Sequence, residues 1–515
     1  MLTPLFPSVA QAKTGTGKTL AFLLPLLNRM IQEDPSLASR RAAYRASSDD
    51  IRGIVLSPTR ELAEQIATEA RKLVRNTGLV VQTAVGGTSK GAMLRQTQRQ
   101  GCHLLVGTPG RLNDLLQDAS SGIEAPNLAA LVLDEADRML DVGFEKELGE
   151  IIRQLPPPDV KVRQTMLVSA TIPDDVIRLA RSMVRSDDFE FVQTIPENES
   201  LTHDRVPQKV VQLSSWANIM PTLFELIDRE AAKAEQDVNA LPFKAIVYFN
   251  TTSMVELVGD VSYSRKRDGL SNLPAFTINS KLSQIQRTKA ADNFRRARSG
   301  ILISSDVTAR GMDFPNVTHV IQVDTPRARE DYVHRLGRTG RQDKSGEGWL
   351  LLPPGAIRSS RKMLAGLPIK PDTTLENAVA EVDEGELPKY HQEVQDLVRR
   401  APRNLVGSAY TSLFGVANDK NELARDMHHW ITRGLGWPAP PRVTERWARQ
   451  LGVDFEYLNL DQGLGGGERF ADRDRRGFKP SSERRGRGDA FDQMSRSVRR
   501  DDDRSSRYSR NRSSW

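Results

Sequence analysis

Ala12-Lys13-Thr14-Gly15-Thr16-Gly17-Lys18-Thr19 has the spacing of a phosphate-binding loop, the A/G-x-x-x-x-G-K-T form. Its glycines let backbone N–H groups close around phosphate oxygens, Lys18 reaches the β- and γ-phosphates, and the Thr19 hydroxyl faces Mg²⁺. A helix is expected to start here, so that its positive end also faces the anion. Leu20, Leu23, Leu24, Leu27 and Ile31 would form that helix's apolar face, with Pro25 bending its early turns. A lone Gly-Lys-Thr string also fits an ordinary turn, so the reading depends on the rest of the chain.

Downstream of the loop lies a series of short apolar runs, each ending in polar or small residues. Ile54-Val55-Leu56 runs into Ser57-Pro58-Thr59-Arg60-Glu61-Leu62-Ala63, and Val80 to Val85 ends at Gly86-Gly87. His103 to Val106 ends at Gly107-Thr108-Pro109-Gly110-Arg111, Leu131 to Leu133 at Asp134-Glu135-Ala136-Asp137, and Met166 to Val168 at Ser169-Ala170-Thr171. Buried strands alternating with helical segments imply an α/β fold with a parallel sheet covered on both faces. In such sheets the ligand crevice lies at the carboxyl ends of the strands, where every one of these motifs falls. Residues 34–50 show no apolar periodicity and read as a polar surface loop. Asp134 is placed to hold Mg²⁺ through water and Glu135 to polarise the water that attacks a γ-phosphate; an acidic helix N-terminus is the plainer alternative.

The bulk numbers agree with an α/β protein of several domains. At 515 residues, 38% hydrophobic and 27% charged, the chain can build two or three cores. No apolar run reaches the roughly 20 residues of a membrane span. One cysteine, Cys102, cannot form an internal disulfide and fits a reducing compartment as a small buried hydrophobe. The net charge of +7 is concentrated at one end: Glu468 to Trp515 holds 14 Arg and 1 Lys against 9 acidic residues, a net of +6. Nucleic acid or another anionic surface is the natural partner of such a segment. Phe470, Phe478, Phe491, Tyr508 and Trp515 are scattered among its arginines, which suits stacking on bases.

Asp-Glu-Ala-Asp, Pro-Thr-Arg-Glu-Leu-Ala, Gly-Gly, Thr-Pro-Gly-Arg and Ser-Ala-Thr, in this order after the loop, resemble the DEAD-box RNA helicases. The resemblance implies two tandem RecA-like parallel-sheet domains that bind ATP, Mg²⁺ and RNA, with little sequence specificity; no membrane is expected as a partner, and no obligate protein partner is inferred. It places Pro58, Thr59, Arg60, Gly87, Thr108, Gly110 and Arg111 on the RNA backbone. Asp137, Ser169 and Thr171 would couple the RNA site to the nucleotide site. The nucleotide would be held by Ala12, Lys13, Thr14, Gly15, Thr16, Gly17, Lys18 and Thr19, with Thr19 and Asp134 on the metal.

A second strand series runs from Lys209 to Leu352. Within it, Ser305 to Asp313 and His334-Arg335-Leu336-Gly337-Arg338-Thr339-Gly340-Arg341 resemble the family's second-domain motifs. The latter stretch is expected to open a helix, with Arg338 and Arg341 sharing a face as arginine fingers on the γ-phosphate; an isolated pair would equally serve an RNA-facing helix end. By the resemblance Gly311 and Asp313 touch the nucleotide, His334 couples the domains, and Gln284, Arg287 and Thr308 lie near the RNA. Catalysis would fall to Lys18, Asp134, Glu135, Arg338 and Arg341.

The expected organisation is residues 1–194 for the first domain, 195–206 for a linker and 207–353 for the second domain. Residues 354–462 would form a helical extension in which the strand pattern stops and Leu375 to Arg400 is one helix. Residues 463–515 would be a disordered Arg/Ser/Gly-rich RNA-binding tail. The extension, with Gly311 to Val317, resembles the fungal mitochondrial members that act as RNA chaperones in intron splicing, which implies the mitochondrial matrix. Only Met1 to Gln11 precede the loop, whereas family members carry a longer segment with an aromatic residue and a glutamine that read adenine. The expectation is either a missing adenine reader or an incomplete chain. Two other functions fit the same motifs. A hydrolysis-deficient, ATP-gated RNA clamp would show no RNA-stimulated turnover, and a DNA-directed motor would respond to single-stranded DNA as strongly as to RNA.

Overall fold

Among the described residues fourteen strands, every pairing parallel, build two sheets in a row along the chain. The computed structural model describes residues 8–12, 17–157, 160–183, 190–194, 206–309, 312–341, 344–382, 386–417 and 419–461. The first sheet contains β1 (Ser8–Gln11), β2 (Gly53–Leu56), β3 (Val81–Ala84), β4 (Leu104–Gly107), β5 (Ala130–Asp134), β6 (Gln164–Ser169) and β7 (Glu190–Gln193), in the order β3-β4-β2-β5-β6-β1-β7. The second contains β8 (Gln208–Gln212), β9 (Lys244–Tyr248), β10 (Ala275–Ile278), β11 (Gly300–Ser304), β12 (His319–Val323), β13 (Glu347–Leu352) and β14 (Ile369–Pro371), in the order β10-β11-β9-β12-β13-β8-β14. These are the two parallel sheets the strand pattern calls for. The inner strands β2, β4, β5 and β6 are buried along their whole length, which explains why they read as continuous apolar runs.

β1 pairs with β6 and β7, and the chain leaves it with the Ala12 N–H donating to the Ser169 carbonyl at 3.0 Å. The helix Lys18–Glu33 then starts after Gly17, whose φ of 86° suits a residue without Cβ. Its buried side chains are Phe22, Leu23, Leu26, Leu27 and Met30, whereas Leu20 and Leu24 are 46% and 45% exposed. The apolar face is therefore rotated from the expected one: Phe22, Leu26 and Met30 complete a stripe of i, i+4, i+8 residues that the leucines alone obscure. The helix runs on through Pro25.

Three further expectations are corrected. The polar stretch after the first helix forms two 3₁₀ turns, Pro35–Ala38 and Arg40–Arg45, anchored by buried Leu37 and Ala42. The second sheet gains β14, parallel to β8, beyond the point where the strand pattern stops. Leu375 to Arg400 is not one helix. A short 3₁₀ turn at Glu376–Ala378 is followed by the helix Lys389–Arg400, which starts after Pro388, since the residue before a proline is pushed out of helical backbone.

The helices Arg403–Leu413, Lys420–His429 and Glu445–Leu451 follow. They share one apolar core with the second sheet, in which Val394, Tyr410, Phe414 and Trp430 pack with Phe224, Val258 and Trp349. Side chains of this size each contribute about 1.5–3 kcal/mol on full burial, so the extension is an integral layer of the second domain. The expected linker, apart from Val206, and the expected disordered tail lie outside the described residues.

Candidate active site and RNA face

A cleft of about 240 Å³ opens between the carboxyl ends of the first sheet and the second domain. Gly17, Lys18, Thr19, Asp134 and Glu135 line it from one side; Asp313, Arg338, Arg341 and Lys344 line it from the other. Among the described residues the Lys18 ammonium and Glu135 Oε2 are buried with no hydrogen-bond partner. Groups of this kind are costly unless something pairs with them, and a phosphate chain with its attacking water would do so.

Asp134 ends β5, and its Oδ1 accepts the Glu135 N–H at 3.0 Å. Burial pushes the Asp134 carboxyl well above the usual range, with Lys18 opposing the shift and Glu135 adding to it. Glu135 adopts φ 53°, a strained conformation for a residue with Cβ, where the chain turns from β5 into the helix Ala136–Asp141. On the opposite wall, Arg338 is 3% exposed and donates to the Met312 carbonyl at 2.7 Å and the His334 carbonyl at 3.3 Å. Burial, then the neighbouring Arg341, lowers its guanidinium to about 9. Arg341 donates to the Gly337 carbonyl at 2.9 Å and pairs with Asp313 at 2.5 Å. The helix here is Arg329–Leu336, so the two arginines follow its end rather than share its face, a correction to the expected helix start. Carbonyls, not helical phase, aim them.

Ala12 is buried beside β6, and Lys13, Thr14, Gly15, Thr16 and Gly311 lie outside the described residues. Asp137, Ser169 and Thr171 form one network: the Asp137 N–H donates to Ser169 Oγ at 3.3 Å, and Thr171 Oγ1 donates to Asp137 Oδ2 at 2.8 Å. His334 is buried nearby in sequence to Arg338.

The residues assigned to the RNA backbone gather at the carboxyl ends of β2, β3 and β4. Thr59 caps the helix Arg60–Leu73, its Oγ1 accepting the Leu62 N–H at 3.3 Å. Pro58 and Thr108 are buried, and Gly110 sits in the first turn of the helix Pro109–Gln117. Arg111 donates to the Thr88 carbonyl at 3.1 Å. Arg60 lies against Gly87, where φ is +77° and an added Cβ would stand 2.2 Å from its Nη1. Burial, then the neighbouring Arg287, lowers the Arg60 guanidinium, and Arg111 adds to the effect. The second domain brings Arg287 to this region, 3.0 Å from Glu61, and Gln284 opens the same helix, Gln284–Arg296; among the described residues both amide atoms of Gln284 and Thr308 Oγ1 are buried without a partner.

Several residues that hold the two domains together do not stand out in the sequence. Glu61 meets Arg287 at 3.0 Å, Gln65 Oε1 accepts the Asp313 N–H at 3.1 Å, and Arg138 approaches Asp331 at 3.9 Å. Glu61 and Gln65 lie four apart at the start of one helix, a spacing that marks a common polar face and is the available signal.

Comparisons with known proteins agree with this geometry. Residues 6–179 match the DEAD/DEAH box helicase family, and residues 230–343 match the helicase conserved C-terminal domain. The mitochondrial ATP-dependent RNA helicase cyt-19 of Neurospora crassa is 52% identical over 450 residues, spanning 86% of this chain and 72% of that one. The chain belongs to the DEAD-box family of ATP-dependent RNA helicases. This DEAD-box helicase is also 48% identical over 463 residues to the mitochondrial helicase mss116 of Aspergillus fumigatus, spanning 87% of this chain and 70% of the relative. Its fold superimposes on Mss116p (NTE and C-tail double deletion) bound to ssRNA and AMP-PNP, with a TM-score of 0.72, 25% identity, and coverage of 89% and 92% of the two chains. Mss116 bound to ssRNA and UDP-BeF gives a TM-score of 0.71 at 26% identity, with 87% of each chain covered. Hydrolysis of ATP coupled to work on RNA is therefore the activity of this family member. Among the described residues no helix is long and apolar enough to cross a membrane.

Proposed function

We propose that the cleft hydrolyses ATP with Lys18 on the β/γ-phosphates, Glu135 orienting the attacking water, and Arg338 and Arg341 stabilising charge on the transferred phosphoryl group. The observation that carries this reading is the pair of orphaned buried groups, Lys18 Nζ and Glu135 Oε2, facing two arginines of the other domain across one cleft. Thr19 and Asp134 would hold Mg²⁺, which would supply charge neutralisation to the phosphates.

Because both walls are needed to satisfy the nucleotide, ATP favours the closed arrangement. RNA held by Arg60, Arg111 and Gly87 from one domain and Arg287 and Thr308 from the other favours the same state. The two ligands therefore bind with positive coupling. Asp137, Ser169, Thr171 and His334 transmit between the sites. Backbone rather than base contacts imply local duplex unwinding with little sequence preference. The likeness to cyt-19 and mss116 supports a role as an RNA chaperone in mitochondrial RNA splicing, in the matrix.

The test is phosphate release from ATP with and without RNA on the wild type and on Glu135→Gln. RNA-stimulated release in the wild type, reduced at least a hundredfold in Glu135→Gln with RNA binding retained, is the expected result. Equal release by both proteins would place the chemistry elsewhere, and equal stimulation by single-stranded DNA would overturn the RNA-directed reading.

A further inference from the structure

The turn Arg40–Arg45, remote from the cleft, carries an exposed basic patch. Arg40, Arg41 and Arg45 are exposed, and Tyr44 is 91% exposed, while Ala42 between them is buried. The segment is built in rather than loosely attached. Asp34 and Ser39 cap its two turns, Cys102 N–H donates to the Ser47 carbonyl at 3.3 Å, and Glu124 N–H to the Ser48 carbonyl at 3.1 Å. Gly78 presses against it so closely that an added Cβ would stand 2.5 Å from the Ser39 carbonyl oxygen and 2.7 Å from the Ala43 nitrogen. Arg75, three residues before Gly78 in the chain, is likewise exposed.

The acids of this stretch are largely committed elsewhere. Asp50 is held by Arg52 at 2.7 Å, and Asp34 accepts from Ser36 and lies 3.9 Å from Arg52. Arg45 is near enough to help lower the Asp34 carboxyl, and exposed Asp49 is the remaining local acid. Among the described residues Arg40, Arg41, Arg45 and Arg75 have no hydrogen-bond or ion-pair partner through their guanidinium groups. Unpaired arginines around an exposed tyrosine are the chemistry of a sequence-tolerant nucleic-acid contact: charge for phosphates and a ring for an unstacked base.

The position matters as much as the charge. This segment feeds the amino end of β2, whereas Pro58-Thr59-Arg60 follow its carboxyl end. Four strand residues at about 3.3 Å each separate the two ends by roughly 13 Å, before the flanking loops are counted. We propose that this face is a second RNA-binding surface, which takes the backbone of RNA lying outside the strand held at the strand carboxyl ends. The inference rests on the RNA-helicase reading; stimulation by a short oligonucleotide tests that reading separately.

The experiment compares the full chain with Arg40→Gln/Arg41→Gln/Tyr44→Ala/Arg45→Gln, using a single strand of about 10 nucleotides and the same strand joined to a hairpin. Turnover with the short strand should stay within twofold, which also reports an intact fold and an intact motor. Affinity for the hairpin RNA should fall about tenfold. Its log-affinity against log-salt slope should fall by about 2, the expectation for three lost phosphate contacts at roughly 0.7–0.9 each. Tyr44→Ala alone, at a site with almost no packing to lose, should weaken hairpin binding about threefold or more. Unchanged affinity and slope would overturn the proposal. So would equal weakening for both RNAs, or loss of binding to anionic phospholipid vesicles with hairpin binding intact, which would make the face a membrane contact.

Discussion

Glu61→Gln is expected to uncouple ATP from RNA while leaving each site in place. The Glu61 carboxylate meets the Arg287 guanidinium at 3.0 Å across the two domains, with side chains 6% and 11% exposed. A pair this dry is screened little by solvent, and cross-interface charge pairs of this kind couple by about 1.5–7 kcal/mol. Taking about 2 kcal/mol, at 1.36 kcal/mol per tenfold, the closed arrangement becomes roughly thirtyfold less favoured. In the open arrangement both groups are hydrated, so the loss falls on closure. Glu61 also sits in the first turn of its helix, where a negative charge contributes about 0.3–1 kcal/mol, so a small drop in melting temperature accompanies the change.

The assay is the affinity of a fluorescent non-hydrolysable ATP analogue, with and without saturating single-stranded RNA. Without RNA the affinity should match the wild type. The tightening produced by RNA should shrink tenfold or more, and by reciprocity RNA affinity should lose its response to nucleotide by the same factor. Tightening within twofold of the wild type would show that the ion pair does not bear on closure, and the reasoning would fail.

Two further outcomes rest on local chemistry. Gly87→Ala forces Cβ into a backbone at φ +77° and to 2.2 Å from Arg60 Nη1; RNA-stimulated turnover should fall at least tenfold while RNA-free turnover is unchanged, at a stability cost of about 1 kcal/mol in urea unfolding. His391 is fully buried, neither ring nitrogen has a partner among the described residues, and burial lowers its imidazole to about 4. Against an unfolded value near 6.5 its contribution is complete above that pH and is lost as pH falls toward 4. The loss amounts to about 1.4 kcal/mol by pH 5.5. His391→Leu should remove that slope and match or exceed wild-type stability at pH 7.5, which urea midpoints at the two pH values will decide.

Much of the site is legible in the sequence because its residues follow apolar strands in a fixed order, and the carboxyl ends of parallel strands converge. Lys18, Asp134 and Arg338 are each more than a hundred positions from the next yet line one cleft for that reason. Features set by tertiary context are not legible. β14 is three residues long, lies at a sheet edge and ends in Pro371, so it carries no alternating pattern to detect. The turns at 35–45 repeat every three residues with one buried side chain each, too little for an amphipathic signal. Arg338 and Arg341 are oriented by the carbonyls of Met312, His334 and Gly337, and no spacing rule encodes those partners.

The distribution of apolar packing explains why the same chain can be both a rigid scaffold and a motor. The helical extension shares one continuous core with the second sheet, from Phe224 and Val258 to Tyr410 and Trp430, so separating them would expose a large apolar surface. Among the described residues no such core crosses between the two sheets; their buried clusters end at Met183 on one side and begin at Val206 on the other. What joins them is polar: Glu61 to Arg287, Gln65 to the Asp313 amide, and Arg138 toward Asp331 at 3.9 Å. Contacts of that kind bias closure by a few kcal/mol at most and can be exchanged for water when the domains part, whereas an apolar seam would have to be exposed. The closed arrangement is therefore one that a ligand can make or release, and the groups left without partners inside it, Lys18 and Glu135, are those a nucleotide would satisfy.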